Sequence, residues 1–414
     1  MGEPRDPEQG DAGAPDDEVT ASVVRRMLTP LRDFLDTEAA GGSLLVGASA
    51  VALVWANSPW RASYVRFWHH VVTVGSGSHA LHLDLQHWVS DGLMTVFFLV
   101  VGLEIKREMT SGHLAGRRAA TLPAAAAIGG MAIPALLYLV IAGGTAPKGW
   151  GVPMATDIAL AVGVLALAGG SAPASLRAFL LGLAVVDDIG AIVVIAVFYS
   201  AGVSFGWLAG AIAGVLVTVL LRTVGVPYTL VYVVVGAFIW YALHEAGIHP
   251  TIAGVVMGLL APVDRIPALE HRLHPWSSYV IVPLFALANA GIVVSTASMR
   301  AAWSSPIFWG ITTGLVLGKP LGVLLAARLT VKSGAADPPD GTTRRQLLGA
   351  GNAAGIGFTV ALFIAELAFV DHGIPNELQL ADAKMAILLA SVVSGVLAFL
   401  VLRQRSRDAV TKLS

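Results

Sequence analysis

Apolar residues run along this chain in stretches of about 17–24 positions, close to the length a helix needs to cross roughly 30 Å of hydrocarbon. Twelve such stretches stand out: 39–57, 88–105, 119–142, 152–169, 176–199, 203–222, 227–243, 248–262, 277–294, 307–327, 346–370 and 382–402. Alternating ten-residue segments, the mark of an outer-membrane barrel, are absent from the sequence. The pattern predicts an all-α polytopic membrane protein of twelve transmembrane helices over residues 37–403. Met1–Glu18 is rich in Asp, Glu, Gly and Pro and has no apolar core. Residues 1–36 therefore read as a disordered acidic tail and a cytoplasmic lead-in, not a signal peptide. Residues 404–414 read as a second cytoplasmic tail.

Composition sharpens this. Of 414 residues 56% are hydrophobic and 13% charged, about half the charged share of a soluble domain. There are no cysteines, which excludes disulfides, thiolate metal sites and a cysteine nucleophile. A net charge of -1 leaves no electrostatic footprint for nucleic acid. With twelve spans and a cytoplasmic N-terminus, 20 of the 26 Lys and Arg fall on the inside and 5 outside, with Lys319 left within a span. That asymmetry predicts that both termini are cytoplasmic.

The connections leave no room for a separate soluble domain. The longest inside connection, about Thr330–Arg345, carries Asp337-Pro338-Pro339-Asp340-Gly341 and reads as a linker. After the first span, Val71-Val72-Thr73-Val74, a Gly/Ser turn and alternating Leu81, Leu83 and Leu85 predict an outer β-hairpin over 71–85. A lone hairpin is marginal in water, so it is expected to pack on something, such as another copy of itself. Five histidines lie nearby (His69, His70, His79, His82, His87), but strand alternation accounts for most of that pattern without a metal.

Each ionisable group inside a span costs at least about 2.5–3.5 kcal/mol, so chemistry has to come from the polar residues there. They are few. Asp91 opens the second span and Glu104 closes it. Thr156 and Asp157 follow Pro153 in the fourth span. Asp187 and Asp188 are adjacent in the middle of the fifth, Lys319 lies halfway along the tenth, and Glu366 is in the eleventh. Neighbouring residues on a helix point about 100° apart, so Asp187 and Asp188 face different partners. Each needs a proton, a cation or a basic side chain, and Lys319 is the basic residue at comparable depth. The economical arrangement pairs Lys319 with one aspartate and leaves the other free to exchange a proton for a metal cation. The alternative is a structural ion pair beside a spare protonated acid.

Breaks in the helical pattern add to this. Pro153 interrupts the fourth span, and Gly349, Gly351, Gly355 and Gly357 crowd the eleventh. Spans 3–5 and 10–12 match as inverted triplets with the broken helix central in each, the arrangement that marks a transporter's central site. A single glycine-rich span more often signals close helix packing; the acids tip the balance.

Five motifs carry a resemblance. They are Phe97-Phe98-Leu99-Val100-Val101-Gly102-Leu103-Glu104-Ile105-Lys106-Arg107-Glu108, Ala155-Thr156-Asp157-Ile158-Ala159, Val186-Asp187-Asp188-Ile189-Gly190-Ala191, Gly318-Lys319-Pro320-Leu321-Gly322 and Gly355-Ile356-Gly357-Phe358-Thr359. In order and spacing, over nearly all the chain beyond the N-terminal tail, the sequence resembles the NhaA-type bacterial sodium/proton antiporters. That family is itself a known case of inverted repeats, so the resemblance implies two discontinuous helices crossing near the midplane. It also implies Asp188 as the main sodium-binding carboxylate and Asp187 as the partner of Lys319. Asp157 and Thr156 would sit at the crossing and balance the partial charges of the broken helices. Lys319 would neutralise acid and C-terminal carbonyls.

Glu104, Arg107 and Glu108, with Glu270, His271 and His274 in Leu269-Glu270-His271-Arg272-Leu273-His274-Pro275-Trp276, match the family's cytoplasmic cluster linked to pH activation. His249 matches another position of the pH response. A near-neutral imidazole switch at the cytoplasmic mouth fits His271 and His274, as does a solvated loop with incidental histidines. The family's outer hairpin pairs two protomers, so a homodimer through 71–85 is expected in a bacterial cytoplasmic membrane. The cargo would be Na⁺ or Li⁺ and H⁺, with no cofactor. Glu366 departs from the family pattern, which has a small polar residue there. It lies about 13 Å along a helix past Gly357, and either lines an outer path with Asp91 or is a protonated packing residue.

The mechanism implied is competition for one site. Na⁺ wants oxygen ligands, and a carboxylate with the ordinary pKa near 3.9 is ionised at every cellular pH and carries no protons. A proton-exchanging membrane acid therefore has to be one that burial and a like charge have weakened. Two other classes use membrane acids. An intramembrane aspartyl protease needs aspartates from different helices converging on a water, which adjacent acids and a midplane lysine fit poorly. A passive cation channel needs rings of carbonyls or acids, whereas this polar set is asymmetric.

Overall fold

The apolar stretches form helices in the computed structural model, which describes residues 40–75, 77, 80–112, 114, 116–168, 173–200, 202–371 and 374–403. The expectations for residues 1–36 and 404–414 lie outside the described residues. Helix α1 (Ala40–Ala56) bends by 117° into α2 (Arg61–Trp68). Strands β1 (Val71–Val74) and β2 (Leu81–Asp84) follow, then α3 (Leu85–Thr110) and α4 (Arg117–Ala142). A 3₁₀ segment, Pro147–Met154, leads through an extended break to α5 (Ile158–Leu167). Helices α6 (Ala174–Phe198), α7 (Phe205–Val224), α8 (Thr229–Glu245) and α9 (Ile252–Leu260) come next. After a 103° bend comes α10 (Val263–Asn289), then α11 (Thr296–Trp303) and α12 (Pro306–Lys332). Helix α13 (Arg344–Ala354) meets α14 (Phe358–Ala368) at 45°, and α15 (Glu377–Arg403) ends the described chain.

Among the described residues, seven helices are long and apolar enough to cross a membrane, or up to ten if each bent pair is one span. The chain is thus a mostly helical, multi-pass membrane protein. The sequence marks twelve stretches because hydropathy sees neither the bends nor the 17-residue length of α8. Two boundaries also move. Helix α10 starts at Val263, well before the apolar stretch 277–294, because its first half is amphipathic. Helix α15 starts at Glu377, so Lys384, one of the five basic residues counted outside above, is instead a buried residue of that helix.

Small residues set the closest helix contacts, as expected where lipid gives helices no hydrophobic drive to associate. A Cβ on Gly322 of α12 would lie 2.1 Å from the Gly129 carbonyl of α4, and one on Gly254 of α9 would lie 2.0 Å from the Thr95 carbonyl of α3. These contacts press α4 onto α12 and α3 onto α9. At the 103° bend, Lys106 of α3 donates to the carbonyls of Leu259 and Ala261 at 2.7 and 2.6 Å. The cation thus satisfies carbonyls at the C-terminus of α9 that no helical N–H can reach.

The two strands pair antiparallel, Val71 opposite Asp84 and Val74 opposite Leu81. At the base, Asp84 receives His69 Nδ1 at 2.9 Å and His87 Nδ1 at 2.6 Å, and caps α3 through the His87 N–H at 2.8 Å. Burial pushes the Asp84 carboxyl up, but the hydrogen bonds from His69 and His87 outweigh it and hold it below the usual carboxylate range. No group of three His, Asp or Glu side chains among the described residues could hold a metal ion.

Candidate functional site

Two broken spans meet backbone to backbone. In the break before α5, Asp157 N–H donates to the Ile356 carbonyl at 2.6 Å, and Thr156 Oγ1 donates to the Ala354 carbonyl at 2.9 Å. Ala354 is the last residue of α13 and Ile356 lies in the break, 355–357, before α14, so each interruption satisfies polar groups that the other leaves free. Asp157 reinforces the junction. Its Oδ1 caps α5 through Leu160 N–H at 3.1 Å, and its Oδ2 accepts from the Thr359 N–H at 3.1 Å and the Thr359 hydroxyl at 2.7 Å. Glycine is needed at 355, where a Cβ would lie 2.5 Å from the Leu315 carbonyl oxygen, and is a tight fit at 357, where one would lie 3.0 Å from the Ala155 carbonyl oxygen.

The buried charge is assembled around this junction. Lys319 of α12 is fully buried. Its Nζ donates to Asp187 Oδ2 at 2.6 Å and to the carbonyl of Met154, the last residue before the first break. Thr156 Oγ1 also reaches Asp187 Oδ2 at 2.6 Å. The other oxygen of Asp187, Oδ1, is buried without a partner. Asp188, next along α6, points elsewhere, as a 100° step requires. It makes no hydrogen bond among the described residues and lines a cavity of about 60 Å³, room for several water molecules. Thr156, Asp157, Thr359, Phe97, Glu104 and His274 share that wall. Besides Asp188, the wall carries the carboxylates of Asp157 and Glu104 and the hydroxyls of Thr156 and Thr359, oxygen groups of the kind a small hard cation takes.

The structure sorts the remaining candidates into three groups. At the Glu104 end of the cavity, Arg107 Nη1 lies 2.6 Å from Glu270 Oε2 and its Nη2 lies 3.5 Å from Glu108 Oε1. His274 Nε2 is 3.8 Å from Glu104 Oε1. The bend at Ala261 folds α10 back under α3 and so brings Glu270 and His274 to this end. His271 is exposed and stands apart from that cluster. His249 instead lies beside Asp91, 3.5 Å from Nε2 to Oδ1, with its Nδ1 2.8 Å from Thr251 Oγ1. Glu366 lies 2.5 Å from Lys384 Nζ. Sequence reading missed Lys384 as a buried cation; the signal available was Glu366 itself, an acid that needs a partner. It also missed Thr359, a hydroxyl next to the glycine break.

Fold and site together define a class: a multi-pass helical membrane protein with a buried, partly unpaired acid cluster where two interrupted helices touch. The Na⁺/H⁺ antiporter 1 family profile matches residues 32–402. The chain is 46% identical to the Na⁺/H⁺ antiporter NhaA 2 of Sorangium cellulosum, over 94% of this chain and 92% of that protein. It is 48% identical to the Na⁺/H⁺ antiporter NhaA of an Acidovorax species, over 87% and 88%, and 43% identical to the Na⁺/H⁺ antiporter NhaA 1 of Klebsiella pneumoniae, over 91% and 97%. The chain belongs to the Na⁺/H⁺ antiporter 1 family.

Proposed function

We propose that this protein exchanges Na⁺ or Li⁺ for H⁺ across a bacterial cytoplasmic membrane by alternating access. The observation that carries this is the division of labour between adjacent aspartates: Asp187 is committed to Lys319 and Thr156, whereas Asp188 faces the cavity. Asp188 is the residue at which cation and proton compete, with Asp187 Oδ1, Thr156 and Asp157 as neighbouring oxygens. Because coupled acids titrate as a group, the exchanged proton belongs to the set. Lys319 offsets the charge of Asp187, so that loading one cation or one proton on Asp188 leaves the site close to neutral in either case.

Twelve spans in two inverted repeats support alternating access best. Helix α8 and the two arms of the 103° bend, each taken as a span, bring the number to twelve, and the broken spans are then central in triplets 3–5 and 10–12. Rocking of one helix group against the other exposes the site to each side in turn. The basic-residue asymmetry favours cytoplasmic termini, which puts the Glu104 end inside and the hairpin outside. A homodimer through the exposed hairpin 71–85 and a pH response through Glu104, Arg107, Glu108, Glu270 and His274, with His249 beside Asp91, belong to the same reading. Nothing about the site favours a channel or a protease.

The test is sodium-induced collapse of a pH gradient in proteoliposomes between about pH 6.5 and 8.5, beside Asp188→Asn. Collapse by Na⁺ or Li⁺ but not K⁺, lost in the variant, is the expected result. Absence of Na⁺-dependent proton movement in folded protein overturns the reading.

A further inference from the structure

The cavity beside Asp188 extends toward Glu104 and His274, and its other end is closed by two layers stacked along α14. Thr359 and Val360 belong to the cavity wall. One turn on, Phe363 is 1% exposed. Its ring centre lies 5.4 Å from that of Phe98, 6.1 Å from Phe285 and 4.9 Å from His249. Beyond this aromatic layer is a polar one. Glu366 Oε1 takes Lys384 Nζ at 2.5 Å and Gln86 Nε2 at 3.5 Å, while Gln86 Nε2 donates to Asn289 Oδ1 at 2.8 Å. Asn289 Nδ2 in turn donates to Ser90 Oγ at 3.4 Å. Helices α3 and α14 run antiparallel through both layers, and Gln86 is two residues from the hairpin strand. The polar layer therefore sits on the hairpin side, about 10 Å along α14 from the cavity wall.

We propose that Gln86, Glu366 and Lys384 form a latch that holds the hairpin side of the cation path shut, a positioning role that rests on the alternating-access reading above. Glu366 and Lys384 belong to α14 and α15, the group that carries the broken spans; Gln86 and Asn289 belong to α3 and α10, which face it. Lys384 compensates the charge of Glu366 at short range, which makes that carboxylate a charge-assisted acceptor and not a ligand for the cargo. Within the layer the contacts are unequal. The ion pair is short and joins neighbours in one group, whereas the contact between groups is the long one from Gln86. For the cavity to open on the hairpin side the layer parts between Gln86 and Glu366, and the ion pair travels with the broken span as a unit.

The chain has no cysteine, so one introduced thiol is a clean reporter. V360C reports access to the cavity, and V74C, on the exposed hairpin strand, reports which face a membrane-impermeant maleimide reaches in proteoliposomes. Opposite substitutions at one position separate a latch from a packing contact. In the V360C background, Gln86→Glu places a like charge against Glu366 and should raise hairpin-side labelling by at least about threefold, while Gln86→Lys should lower it by a similar factor. Labelling from the Glu104 side should move the other way in each. Changes of the same sign in both variants, or none in either with V74C labelled normally, overturn the latch. Labelling needs no transport: if it moves as expected while Na⁺-driven proton movement is absent, the antiport reading fails and the latch stands.

Discussion

Asp157 holds Thr359 twice, by the backbone N–H at 3.1 Å and by the hydroxyl at 2.7 Å, so the first turn of one broken helix is capped from the break of the other. A carboxyl group serving two donors and a third, Leu160 N–H, is a structural commitment. Thr359→Val deletes one bond and keeps the shape. A buried hydrogen bond to a charged group is worth about 1.5–3 kcal/mol. The variant should therefore raise the Na⁺ KM by roughly tenfold or more, with insertion into the membrane unchanged. Antiport assays over a sodium range in proteoliposomes check this, and an unchanged KM would mean that Asp157 does not need Thr359 to hold its geometry.

Lys319 and Asp187 make a buried pair at 2.6 Å. Removing one member of such a pair typically costs about 3–5 kcal/mol, whereas replacing both is often close to neutral. Lys319→Met alone should lower the thermal midpoint in detergent strongly, and Asp187→Asn together with Lys319→Met should recover most of it. If the double variant is no more stable than the single, Lys319 is held chiefly by the Met154 carbonyl.

The two histidines of the Leu269–Trp276 segment part company in the structure. His274 is 3.8 Å from Glu104 and His271 is exposed. The activity–pH curve should move with His274→Asn and stay in place with His271→Asn, measured on the same proteoliposomes. A shift with His271→Asn alone would place the response in the exposed segment.

Asp84 gives a pH dependence of known sign. Its folded-state pKa lies below the ordinary value, so its contribution is complete above the unfolded carboxylate pKa, near 3.9, and is lost as pH falls through the lower folded value. Asp84→Asn should lower the thermal midpoint at pH 8 and at least as much at pH 5, where imidazoles ordinarily carry charge. A deficit confined to pH 8 would show that the two histidines contribute nothing to the hairpin base.

Much of this is legible in the sequence because a membrane makes polar residues expensive. Asp187, Asp188, Lys319 and the proline and glycine interruptions stand out against an apolar background, and charge balance alone ties the lysine to one aspartate. Which aspartate, and that Thr156 shares it, depends on helix rotation, which spacing does not fix. Lys384 escaped because it lies near the start of an apolar stretch, where hydropathy cannot tell a loop from a first helical turn. The 103° bend escaped for a similar reason: Ile266–Trp276 is too polar to register as part of a span, yet it carries Glu270 to Arg107. Thr359 was invisible as a functional candidate because a hydroxyl beside a glycine break looks like any helix-start threonine.

The Nζ atom of Lys319 touches both the carboxylate of Asp187 and the carbonyl of Met154. One of these is chemistry and the other is scaffold. A change in charge among the acids therefore alters, in the same instant and through the same atom, the force on the end of the 3₁₀ segment that starts the broken span. On the proposed exchange mechanism, no chain of intermediaries is needed to carry news of ion loading to the backbone. Trigger and lever are a single ammonium group, so a substitution that preserves its charge but moves it by an ångström should uncouple binding from movement while leaving each intact.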